Sequence, residues 1–319
     1  MILDSVRRRA ITEAHAGQTG DQPGDNDMSS GDDHVNRLPP ASWELPHHLH
    51  RGSSEIDWCE SNYAVSTTIA EFVNTFSNVL FIIIPPLLII LFQQYAKRTK
   101  SKAIYVIWLL LIVVGMASAY FHATLSFAGQ MLDELAILWL ICAGVSLWIP
   151  ARYLPYLTSR YLPLQMNRYG FKWAMFAITI IGTILSCIKP VINAFALLAI
   201  GVPITVMLVV EMRRCQDEKI RRLGFRTCVL FVTAVCCWLN DRLLCDLWTK
   251  FRFPYLHGFW HILVFLSSYA CCVLFAFFDA SEIAPEFTPK LRYWPLDTFE
   301  FGVPYITLQS RTKEIKRDM

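Results

Sequence analysis

Charge is scarce in this chain. Asp, Glu, Lys and Arg make up 17% of its 319 residues, where an ordinary soluble domain carries about 25%. Hydrophobic residues make up 54%, and the mean hydropathy is +0.37. This balance, with the long apolar runs below, excludes a soluble enzyme. A strong net charge is also missing, the formal value being +3. The basic residues are spread over several loops and no nucleic-acid motif is present, so nucleic acid is not an expected partner. The first 55 residues contain no apolar core of the kind a cleaved signal peptide needs. They are polar and rich in Gly, Asp, Ser and His, and residues 1–55 read as a disordered tail. The first membrane span is then expected to act as an uncleaved targeting signal.

Apolar runs dominate the rest. A transmembrane helix needs roughly 20 mostly apolar residues. Seven runs qualify, at 72–92, 104–125, 131–149, 173–187, 191–210, 225–244 and 257–278. Only Ile188-Lys189-Pro190 separates the fourth from the fifth; the proline reads as a break, with one kinked helix as the alternative. The expected fold is an all-α, polytopic seven-helix bundle over residues 56–280, with residues 281–319 as a C-terminal tail. Basic residues fix its orientation. Lys97, Arg98, Lys100 and Lys102 follow the first span, Arg152, Arg160, Arg168 and Lys172 the third, and Arg213 to Arg226 the fifth; more lie in the C-terminal tail. The opposite loops hold only Lys189, Lys250 and Arg252. The tail of residues 1–55 is therefore expected outside or in a lumen, and the C-terminal tail in the cytosol.

Titratable side chains are costly within a membrane and mark functional sites by default. His122 ends the second span, Asp133 opens the third, and His257 and His261 open the seventh. In this topology all four lie at one depth on the outer side. His257 and His261 are four apart and share a helix face, and Ser118 precedes His122 by one turn. Three imidazoles, a carboxylate and a hydroxyl make a zinc hydrolase: three ligands, a proton carrier and an oxyanion donor. A zinc ion there leaves a fourth position for water and acidifies it. Core histidines satisfied by their neighbours, or a histidine pair holding haem between helices, are the competing readings.

Asp57-Trp58-Cys59-Glu60-Ser61-Asn62, followed by Glu71, precedes the first span. Its oxygen donors suit a hard cation such as calcium, though the spacing is not that of an EF-hand; a solvated segment with a helix-capping acid is the plainer reading. Of ten cysteines most lie in the spans. Cys59 and Cys245 are the pair on the outer, oxidising side clear of them, and a disulfide is expected between the two. Asn240-Asp241-Arg242 near the end of the sixth span reads as a structural ion pair or as outer support for the metal.

The stretches Glu55-Ile56-Asp57-Trp58-Cys59-Glu60, Ala70-Glu71-Phe72, Tyr120 to Phe127, Gln130 to Leu135, Phe253 to His261 and Gly302-Val303-Pro304-Tyr305 together resemble the alkaline ceramidases. The resemblance covers about residues 52–308, and within the family it leans toward the Golgi-type or an invertebrate member. It implies hydrolysis of the amide bond of ceramide to sphingosine and a fatty acid, inside a seven-helix pocket in the membrane. By match to the family motifs, His122, His257 and His261 are zinc ligands. Ser118 and Asp133 are catalytic, and Asp57, Trp58 (by its carbonyl), Glu60, Asn62 and Glu71 hold calcium. Cys59 and Cys245 match a family disulfide. The N-terminal tail is longer than usual for the family. A Golgi membrane is implied by the resemblance alone, and no protein partner is inferable.

Two other functions compete. A seven-helix receptor of the progestin and adiponectin receptor type shares the three-histidine zinc logic but usually has the opposite orientation. A transporter or haem-binding electron carrier leaves Ser118 and Asp133 unexplained.

Overall fold

The computed structural model describes residues 46–155 and 167–311. The expected N-terminal tail lies outside the described residues up to residue 45, as does Arg160. Among the described residues, seven helices are long and apolar enough to cross a membrane: Phe72–Leu91, Ala103–Thr124, Phe127–Trp148, Arg168–Ile188, Val191–Arg214, Glu218–Leu243 and Leu256–Ile283. The chain is a multi-pass membrane protein, as its hydropathy requires. The first span consists of α1 (Phe72–Phe76) and α2 (Val79–Leu91), and a short α3 (Gln93–Arg98) follows it. The next five are α4 (Ala103–Thr124), α5 (Phe127–Trp148), α6 (Arg168–Ile188), α7 (Val191–Arg214) and α8 (Glu218–Leu243). A short α9 (Cys245–Lys250) leads to the last span, α10 (Leu256–Ile283).

Helix ends are set by local chemistry. Ser126 caps α5 by accepting from Gly129 N at 3.1 Å, Asn167 caps α6 from Gly170 N at 2.7 Å, and Asp217 caps α8 from Lys219 N and Ile220 N. Helix α4 ends at Leu125 in the left-handed region, at φ 46°. This conformation is uncommon for a branched side chain. It reverses the chain within two residues, so α5 starts beside the end of α4. Pro190 separates α6 from α7, and the break reading holds over the kinked-helix one.

Helices α4 and α5 pack together, α2 packs on α4, α5 contacts α6 and α7, and α8 lies along α10. The core holds Leu88, Phe92, Trp108, Leu111, Phe265 and Leu274, all buried. Outward residues such as Ile181, Ile184, Phe195, Val206 and Val232 are exposed and apolar, the surface a helix presents to lipid. Close approach of α2 and α4 depends on Gly115, where an added Cβ would fall 2.3 Å from the Phe81 Cβ.

Two features depart from the sequence reading. Part of the expected tail is structured: α10 runs on to Ile283, and Phe287–Trp294 (β1) pairs antiparallel with Val303–Ser310 (β2). Leu291, Tyr293, Ile306 and Leu308 alternate inward and are buried against α10. This period-2 pattern is short and weak beside the helical runs. At the other terminus, residues 46–55 are docked on the bundle. Gly52 N donates to Thr124 O at 3.0 Å and Ser54 N to Leu125 O at 2.9 Å.

Gly115→Val is expected to destabilise the purified protein by about 1–3 kcal/mol through overpacking. Gly201→Ala, where an added Cβ meets nothing within 4 Å, should leave the melting temperature unchanged or raise it. Thermal unfolding in detergent checks the order, and equal melting temperatures would contradict the α2–α4 contact.

Candidate metal centre

The tight turn at Leu125 and the antiparallel run of the helices bring the end of α4 and the starts of α1, α5 and α10 to one end of the bundle. His122, near the end of α4, meets His257 and His261 from the first turns of α10. All three are buried, and one ligand atom from each lies within 4.8 Å of the others. Ring centroids are 5.0, 4.8 and 4.5 Å apart for the pairs 122–257, 122–261 and 257–261.

Each ring is held from outside. His122 Nδ1 lies 2.5 Å from Glu71 Oε2, which orients its Nε2 inward. His261 Nδ1 lies 2.7 Å from Ser77 Oγ, whose hydroxyl also reaches Asn74 O at 2.9 Å, and 3.4 Å from Asn78 Nδ2. His257 stacks on Trp58, with centroids 3.6 Å apart and planes at 20°. Arg242 covers the same indole at 5.5 Å from its centroid.

His122 Nε2 and His257 Nδ1 are buried and have no hydrogen-bond partner. A buried polar atom left unsatisfied costs about 1–3 kcal/mol. Neutral imidazole nitrogens converging in that state, each ring braced from behind, can hold a metal ion.

Asp133 lies in the second turn of α5, with the Ser118 side chain of α4 near enough to act on its carboxylate. Ser118 precedes His122 by one turn on α4. Asp133 is half-buried and Ser118 is buried.

The acidic loop 57–62 packs against the same end. Asn62 Nδ2 donates to Asp57 Oδ1 at 3.1 Å, and Trp58 N to Glu71 Oε1 at 3.1 Å. Glu60 caps α1, accepting from Val73 N at 2.6 Å and Asn74 N at 2.8 Å. Burial pushes the Glu71 carboxyl up to about 8, with Asp57 adding to the rise. Burial also raises the Glu60 carboxyl, and Glu71 adds to it. Glu71 thus carries the cost of its own burial and of a neighbouring acid, and Glu60 likewise. A shared hard cation relieves that cost, and carboxylate, amide and carbonyl oxygens are the donors it takes.

Cys59 and Cys245 are disulfide-bonded, as the sequence reading expected. Beside the bond, Asp241 accepts from Cys59 N at 3.1 Å through Oδ2 and from His257 N at 3.2 Å through Oδ1. It thereby ties the loop to the first turn of α10.

The expected residues thus gather at one end, with Glu71 in a place the calcium reading alone did not give it. Ser77 and Asn74, which steady His261 and Glu71, were absent from that reading. Their signal was the polar run Asn74-Thr75-Phe76-Ser77-Asn78 inside an otherwise apolar span.

Comparison with known proteins points the same way. The family profile described as ceramidase matches residues 50–307. The alkaline ceramidase of Drosophila melanogaster is 49% identical over 275 residues, covering 86% of this chain and 94% of that protein. Alkaline ceramidase 1 of Homo sapiens is 42% identical over 262 residues, covering 82% and 97%. The alkaline ceramidase of Caenorhabditis elegans is 32% identical over 262 residues, covering 80% and 94%.

Glu71→Gln keeps the shape but weakens the brace on His122. It is expected to lower metal affinity about 10–100-fold, read as metal retained by the purified protein during chelator titration. Retention equal to wild type would contradict the brace.

Proposed function

This chain belongs to the ceramidase family, and we propose that it is a zinc-dependent intramembrane amidase that cleaves the N-acyl bond of ceramide to sphingosine and a free fatty acid. The observation that carries this reading is the buried three-histidine centre with a Ser118–Asp133 pair one turn away. His122, His257 and His261 would hold zinc, a choice that three nitrogen ligands favour. When bound, zinc supplies a Lewis acid and lowers the pKa of water at the site.

The chain's own groups divide the remaining work. Asp133 takes a proton from the attacking water and returns it to the amine as the amide C–N bond breaks. Before that transfer, Ser118 would donate to the Asp133 carboxylate. Once protonated, Asp133 becomes the donor, which frees the Ser118 hydrogen for the carbonyl oxygen as it gains negative charge. Proton uptake and oxyanion stabilisation are coupled through one hydrogen bond.

Asp57, Glu60, Asn62 and Glu71, with the Trp58 carbonyl, are assigned to calcium. Glu71 would then link the two metals, since its second oxygen faces His122. The asymmetry of basic loops supports a lumenal site end and a cytosolic hairpin end. A Golgi membrane is the setting that the family resemblance implies. The receptor alternative gives no role to the Ser118–Asp133 pair.

Sphingosine release from ceramide by the purified protein, with zinc measured on the same sample, tests the assignment. Asp133→Asn is expected to keep its zinc and lose about 10²–10⁴-fold in rate. His257→Ala should lose zinc and activity together. Full turnover by Asp133→Asn would remove it as the proton carrier, and zinc without release from any ceramide would turn the reading toward a receptor or another lipid amide.

A further inference from the structure

The turn that joins β1 to β2, Trp294-Pro-Leu-Asp-Thr-Phe-Glu-Phe301, is rich in large apolar residues, and they point outward. Trp294, Leu296, Phe299 and Phe301 are 46%, 64%, 51% and 82% exposed. A cluster of exposed apolar groups of this kind marks an interaction surface.

The turn is rigid and its height is fixed. Arg292 and Tyr293 N both bond the Asp297 carboxylate within it. Gly302 N donates to Phe299 O at 2.9 Å, and a Cβ at Gly302 would strike Trp294 O at 2.3 Å. Glu300 accepts from Arg222 at 2.7 and 3.2 Å and also binds Arg226, both on α8. The Arg226 guanidinium lies over the Phe301 ring, 5.2 Å from its centroid.

From Arg226 to the end of α8 at Leu243 the helix rises about 26 Å at 1.5 Å per residue. That nearly fills a hydrocarbon layer of about 30 Å. A layer of that thickness spanned by α8 would have its edge near Phe301. Beside it on α8, Phe225 is 72% exposed, and Val229 and Val232 below are also exposed. The apolar turn continues the lipid-facing surface of the helix.

Charge specifies the lipid. Glu218, Arg221, Arg222, Phe225 and Arg226 line a surface cleft of about 530 Å³. The stretch 213–226 carries six basic residues and two acidic ones. Arg221 is exposed at the rim.

We infer that the hairpin turn is a preformed wedge seated in the membrane interface, and that the exposed Arg221 beside it, the cleft arginine not engaged by Glu300, binds anionic phospholipid headgroups of that leaflet. Aromatic side chains with arginines at one depth suit this boundary. An anionic leaflet attracts basic groups held at its surface.

The full chain in nanodiscs containing a phospholipid with a photoactivatable diazirine in its acyl chain tests the seating. Adducts on the peptide holding Leu296 to Phe301 are expected at a yield matching those on Phe225 to Val232. Adducts no more frequent than on the exposed residues 47–51 would overturn it. The headgroup arm compares phosphatidylserine with phosphatidylcholine carrying the same diazirine chain. Enrichment of the phosphatidylserine adduct is expected, and Arg221→Gln should cut it about fivefold. Equal labelling by the two lipids, or an unchanged ratio in Arg221→Gln, would overturn the anionic preference.

Discussion

The Glu71 carboxylate holds together the end of the bundle that carries the three buried histidines. Oε1 accepts from the Trp58 backbone, and Oε2 meets both Asn74 and His122. One side chain joins the loop before the first helix, the first turn of that helix and the last turn of α4. A buried carboxylate is costly unless its oxygens are partnered, so this geometry is all or nothing. Asp241 does the matching work from α8, bonding both Cys59 N and His257 N, with the disulfide alongside. The three imidazoles meet because these two acids fix the helices that carry them.

The opposite end is organised by different forces. Arg168 bonds Asp279 at 3.0 Å, and Tyr95 reaches the same carboxylate. The hairpin packs its alternate apolar residues on α10, and Arg98 binds the Leu308 carbonyl. Helix α10 spans both ends, with His257 and His261 in its first turns and Asp279 near its last. Its position is therefore set from both sides of the membrane, a restraint on the two histidines it contributes. Between the ends, close packing at Gly115 and a core of large apolar residues hold the helices, with few polar contacts such as that from Trp139 Nε1 to Thr183 Oγ1 at 3.0 Å.

Much of this was legible in the sequence. The seven spans follow from hydropathy, and the depth shared by His122, Asp133, His257 and His261 follows from counting them. Cys59 and Cys245 could be paired by compartment. The less visible parts are those whose signal is short or distant. The hairpin rests on eight-residue strands with an alternating pattern, easily lost after a long apolar helix. The brace of Glu71 on His122 spans 51 residues, and that of Ser77 on His261 spans 184. No local spacing encodes such contacts. Glu71 was singled out for its oxygen alone, while its geometry serves an imidazole as well. Residues 46–55 read as part of a polar tail because their bonds to the bundle, through the backbone of Gly52 and Ser54 and the hydroxyls of Ser53 and Ser54, reach residues about 70 positions away, which composition does not report.

The central claim is that three buried imidazoles form one metal centre. X-ray absorption at the zinc edge of the purified protein measures it most directly. The account predicts zinc with three imidazole nitrogens at about 2.0–2.1 Å and one oxygen. Sulfur ligands at about 2.3 Å, or a purified active protein without zinc, would contradict it.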